Sequence, residues 1–153
     1  MNLIKKYKTY IIQIGIALLI GGLSSLATMG NFDIFDNITK PPLTPPMWVF
    51  PVVWGILFVL MGIGAALVYK TAGYIPFVYW LQLAVNFLWS IIFFNMQAYL
   101  FAFIWLLLLL ALIIIMFIEF YKINKTAAYL QIPYILWVTF AGYLTFAIWL
   151  LNK

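Results

Sequence analysis

Residues 40 to 58 read KPPLTPPMWVFPVVWGILF: five prolines and two tryptophans lead into an apolar run that continues to Tyr69. Each proline fixes its own φ and drives the residue before it toward extended conformations, so the segment is expected to approach the run as a stiff strand. Pro45 and Pro46 suit a helix start and Pro51 a first helical turn, where a missing N–H costs little. From Trp48 to Tyr69 there is no charged side chain. A hydrocarbon core about 30 Å thick takes about 20 residues of helix, so the run is long enough to cross a bilayer.

Four further runs have the same character: residues 10–29, 75–95, 98–120 and 127–151. The chain is 68% hydrophobic and only 7% charged, against about 25% charged in ordinary soluble domains. The expected fold is therefore all-α, an integral membrane bundle of five transmembrane helices forming one domain over residues 1–153. Loop one, residues 30–47, is the one sizeable segment expected to be non-helical. Cys and His are absent, which excludes disulfides, zinc sites, thiolate or imidazole haem ligation and a Ser-His-Asp triad. No metal site and no hydrolytic chemistry are expected. The net charge of +5 comes entirely from lysines that flank the runs instead of clustering among exposed aromatics, so no nucleic-acid partner is expected.

Lysines also orient the bundle. Five spans place Lys5, Lys6, Lys8, Lys70, Lys122 and Lys125 on one side and only Lys40 and Lys153 on the other, with Asp33 and Asp36. The positive-inside rule then puts the N-terminus inside and loop one and the C-terminus outside. The leading lysines, apolar run and SSLA at residues 24–27 also resemble a cleavable signal. The run from Tyr10 to Met29 exceeds the 7–15 residues usual for a signal core, however, and Ala17, Gly21 and Ser25 give it a small-residue face suited to helix packing in lipid. Small pairs at Gly62/Ala66 and Ala98/Ala102 are candidate faces for a second copy. Tyr74, Tyr79, Trp80, Tyr129 and Trp149 lie where an aromatic interfacial belt is expected.

Polar groups inside the spans are few: Gln13, Gln82, Asn86, Ser90, Gln131, Thr139 and Thr145. No carboxylate or lysine lies deep in a span, which argues against an ion-coupled pump. At 1.5 Å per residue, Trp54 in the second span, Asn86 and Trp89 on one face of the third, and Trp137 in the fifth converge on the outer half or the middle of the membrane. Tyr134 and Ala141 continue the Trp137 stripe, and Ala141 with Gly142 would leave room beside the indole. Such a set builds either a flat aromatic cavity or plain aromatic packing between helices.

KPPLTPP with FPVVWGILFVLMG (Phe50–Gly62), NFLWSIIFF (Asn86–Phe94) and PYILWVTFAGYLTFAIWLLN (Pro133–Asn152), in that order and spacing, resemble the TspO/MBR family of translocator and tryptophan-rich sensory proteins, formerly peripheral-type benzodiazepine receptors. The resemblance covers nearly the whole chain. It implies a five-helix bundle with a cavity under loop one that takes protoporphyrin IX, haem, other flat hydrophobic molecules and, in some members, sterols. Homodimers and contact with lipid are implied as well, with no resident cofactor required. Carried over by motif, the ligand-binding residues would be Pro45, Phe50, Trp54, Asn86, Trp89, Trp137 and Ala141, to which the Trp137 stripe adds Tyr134. The membrane implied is a bacterial plasma membrane.

The family loop commonly carries two tryptophans in the pattern W-Y-x-x-L-x-K-P-x-W-x-P-P. This chain has Ile34, Phe35, Ile38, Lys40, Pro41 and Leu43 at the corresponding positions, and both indoles are gone. Some members are associated with light- and oxygen-dependent porphyrin breakdown that is thought to involve nearby tryptophans, so this enzymatic alternative is placed in doubt and catalytic residues are left unassigned. The sterol motif proposed for animal members is absent, because no lysine follows Tyr143 before Lys153. A third alternative is a lipid- or partner-sensing membrane protein with no tetrapyrrole chemistry.

Overall fold

In lipid a backbone can satisfy its N–H and C=O groups only within its own helix, and the long apolar runs obey this. The computed structural model of the chain describes residues 3–31 and 33–153, with side chains from Tyr7 on. Lys5 and Lys6, counted above among the flanking charges, lie outside the described side chains. The elements are α1 (Leu3–Thr28), a 3-10 turn (Met29–Asn31) and α2 (Asp33–Asn37), then α3 (Val49–Ala72). They are followed by α4 (Phe77–Ser90), which runs on into a π turn (Ile91–Asn95), and by α5 (Tyr99–Ile123), α6 (Lys125–Tyr129) and α7 (Ile132–Asn152). Among the described residues, five helical segments are long and apolar enough to cross a membrane: Tyr7–Asn31, Val49–Ala72, Phe77–Asn95, Tyr99–Ile123 and Lys125–Asn152. The five-span bundle expected from sequence is the one that forms, and the protein is an integral membrane protein.

Three boundaries differ from expectation. Loop one is not free of helix: α2 forms a short turn that draws Phe35 into the core at 5% exposure, with Asp33 and Asp36 at its positive N-terminal end. Pro45 and Pro46 do not open α3, because Pro46 C=O accepts from Val49 N at 3.0 Å in a turn and the helix begins one turn later. Pro51 does sit in the first turn. The stretch left between the runs 98–120 and 127–151 shrinks to Asn124, whose side chain accepts from Ala127 N at 3.1 Å and caps α6.

α1 packs on α3 and α4, α5 on α4 and α7, and α6 on α3 and α5. Small residues set these approaches. A Cβ on Gly62 would lie 2.5 Å from Ile14 Cα, and one on Gly21 would run into the Phe58 ring. This corrects the two small-residue pairs proposed for a second copy. Gly62 is already taken up by α1, and Ala66 and Ala102 are fully buried inside the protomer. Tyr79 is likewise a core residue and not part of the interfacial belt, since it is fully buried and stacked on Phe120 at 6.0 Å. Tyr74, Trp80 and Tyr129 remain exposed.

Candidate functional site

At the loop-one end, large rings stand between α3 and α7. Phe50 meets Trp137 edge-on at 5.7 Å, and one turn deeper Trp54 meets Tyr134 edge-on at 6.2 Å. Bulky rings facing one another keep two backbones apart, and the space enclosed with α1 and α4 is a cavity of about 540 Å³. That volume falls in the range of small-molecule sites. Phe35 of α2 forms part of its roof, edge-on to Phe50 at 5.4 Å.

Of the residues expected from sequence, Phe50, Trp54, Asn86, Trp89, Trp137 and Ala141 all line this cavity. Pro45 does not line it. Tyr134 does not either: it is 1% exposed and lies within the core, where its hydroxyl joins two carboxamides. Asn86 Nδ2 donates to Tyr134 Oη at 2.7 Å, and Tyr134 O–H donates to Gln82 Oε1 at 2.7 Å. One N–H of Asn86 is thereby committed to the core, which fixes the plane of the amide against the cavity. Gly142 leaves room toward α5, not beside Trp137; its nearest neighbour is Leu106.

Sequence reasoning missed the contribution of α1. Gly21, Gly22, Ser24, Ser25 and Thr28 line the cavity, although Gly21 and Ser25 had been read as packing positions only. Three hydroxyls in the last two turns of an apolar span were the available signal. Phe93 was also missed. The π turn after Ser90 shifts side-chain phase relative to a regular helix, so that Phe93 lines the cavity and stacks on Trp89 at 5.2 Å.

The indole N–H groups divide into two kinds. Trp105, which is not a lining residue, donates to Val85 C=O at 2.8 Å. Trp89 and Trp137, which line the cavity, have buried Nε1 atoms with no hydrogen-bond partner among the described residues, as do Gln13 Oε1, Tyr79 Oη and Gln131 Oε1 away from it. Asn86, Ser24, Ser25, Ser90, Thr28 and Thr145 add neutral polar groups, and no charged side chain among the described residues lines the space. The chemistry on offer is stacking, apolar contact and a few neutral hydrogen bonds.

The sequence profile of the TspO/MBR family matches residues 13–150. Tryptophan-rich protein TspO of Chlorobaculum tepidum is 36% identical, over 97% of this chain and 98% of that protein. Protein CrtK of Rhodobacter capsulatus is 36% identical over 77% of this chain and 78% of its own length. The Translocator protein of Homo sapiens is 34% identical over 75% and 72% respectively. With a profile match from the first span to the last and relatives of this similarity along most of its length, the chain belongs to the TspO/MBR family.

Proposed function

We propose that this protein is a membrane receptor or carrier that holds tetrapyrroles, protoporphyrin IX or haem, and similar flat hydrophobic molecules in the cavity between α1, α3, α4 and α7. The observation that carries the reading is the cavity itself: about 540 Å³ walled by Phe50, Trp54, Trp89, Phe93 and Trp137, with the Asn86 amide in its lining. Burying about 400 Å² of apolar ligand surface is worth about 10 kcal/mol in gross terms. Association takes back at least about 4 kcal/mol, which leaves tens of micromolar before hydrogen bonds and ring contacts add to it. No metal ligand is needed for such binding.

Lys8, Lys70, Lys122 and Lys125 mark the opposite end of the bundle from the cavity. By the positive-inside rule the cavity therefore belongs to the outer half of the membrane, here taken as a bacterial plasma membrane.

The test is a dark titration of the purified protein with protoporphyrin IX, read by tryptophan quenching. Saturable one-to-one quenching is expected, weakened roughly five- to tenfold by Asn86→Ala, the loss of about 1–1.4 kcal/mol, and also weakened by Trp137→Phe. Quenching that never saturates, or that ignores both substitutions, rules out this ligand class and turns attention to lipid or partner sensing.

A further inference from the structure

We infer that the cavity is loaded sideways from the bilayer, through a window between α1 and α3, and takes apolar or amphipathic molecules dissolved in the leaflet on the loop-one side. The register of the two helices places the window. They are antiparallel, with Ile14 against Gly62 and Gly21 against Phe58. The same register carries Gly22 to the level of Gly55, and Ser25 to that of Pro51. A Cβ on Gly22 or on Gly55 would meet nothing within 4 Å among the described residues, so at this level neither helix fills the seam between them.

The exposure pattern agrees. Leu18, Gly22 and Ser25 of α1 and Pro51 of α3 line the cavity and are exposed, as is Trp48 immediately before α3. The four helical residues fall within the membrane-crossing segments, and Trp48 adjoins the end of one. A residue that lines a cavity and is also exposed marks its mouth. Ser25 stands at the outer edge of this mouth, Ser24 and Thr28 are buried behind it with the Thr28 hydroxyl donating to Ser24 C=O at 3.0 Å, and Trp54 lies deeper on the facing helix. An entering molecule therefore meets one hydroxyl toward the interface and rings toward the membrane interior.

Among the described residues, two other routes into the cavity are obstructed. Loop one is strapped to α7: Asn152 Oδ1 accepts from Thr39 N at 2.8 Å, Asn152 Nδ2 donates to Thr39 C=O at 2.8 Å, and Tyr143 O–H donates to Pro42 C=O at 2.9 Å. Along the seam between α3 and α7, a lipid-facing groove of about 340 Å³ stops at Trp137, whose ring is wedged between Phe50 and Phe140 at 5.7 and 5.6 Å.

The natural chain has no cysteine, so a single Ala141→Cys reporter on the far wall of the cavity reads access without background and without any assumption about tetrapyrroles. Proteoliposomes of this variant are treated with a bilayer-dissolved pyrene maleimide or with a charged, membrane-impermeant methanethiosulfonate. Labelling from the bilayer is expected. Gly22→Leu or Gly55→Leu, each filling open space, should slow it by at least about tenfold, while Asn152→Ala, which frees the loop strap, should leave it unchanged. The two plugs are made separately, so that one suffices if the other fails to fold. The window is disproved if folded plug variants label at the unplugged rate, if Asn152→Ala accelerates labelling, if the impermeant reagent reacts as fast as the lipid-soluble one, or if neither reagent reaches the thiol.

Discussion

Tyr134 governs the cavity without lining it. Its hydroxyl accepts from Asn86 and donates to Gln82, all three side chains being buried, so its removal leaves two carboxamides short of a partner in a water-free core. Unmet buried hydrogen bonds cost about 1–3 kcal/mol. Tyr134→Phe should therefore lower the thermal midpoint of the detergent-solubilised protein, and it should weaken protoporphyrin IX binding no more than Asn86→Ala does, because its influence passes through that amide. A variant with unchanged stability, or one that binds worse than Asn86→Ala, would show the hydroxyl acting in some other way. At this scale the sequence was informative about residue types. Trp54, Asn86, Trp89 and Trp137 converge where their depths predicted, because depth along a helix follows from residue counting alone. Azimuth does not, and Tyr134 turned into the core while its neighbour in the stripe, Trp137, turned toward the cavity.

Among the elements, α1 and α3 show how one residue type serves opposite ends. Gly62 is needed because a Cβ there would meet the α1 backbone at Ile14, whereas Gly55 faces open space. Gly62→Ala should destabilise by about 1–3 kcal/mol through forced separation of the helices. Gly55→Ala should stabilise by roughly 0.5–1 kcal/mol through lost backbone entropy of the unfolded chain. Unfolding the two variants side by side in a graded mixed-micelle titration checks both signs at once. The proline-rich entrance is not the straight strand expected of it. Pro42 and Leu43 form a turn, Thr44 Oγ1 donates to Pro41 C=O at 2.7 Å, and Leu43 has φ 72°, in the left-handed region that β-carbons disfavour. A local reading of proline predicts stiffness. It does not predict that the connector must also turn back far enough to be fastened by Asn152 and Tyr143 of α7, more than 100 residues later in the chain.

For the whole molecule, the charge asymmetry makes a topological prediction. Cysteines introduced singly at Leu43 and at Asn124 should react with an impermeant thiol reagent on opposite sides. In intact spheroplasts Leu43→Cys should label and Asn124→Cys should label only after lysis; the reverse pattern would invert the bundle and move the cavity to the inner leaflet. Span number, helical class and the family were all determined by the sequence itself, because hydropathy over about 20 residues and ordered motifs are one-dimensional properties. Only the tertiary structure decided that Gly22 and Gly55 share a level and leave a window, that α1 supplies a wall of the cavity, that Gly62, Ala66 and Ala102 are used up within the protomer, and that loop one is strapped to α7. Each of these depends on helix rotation and interhelical register. In an apolar medium those are set by side-chain fit between whole helices, and no local stretch of sequence encodes them.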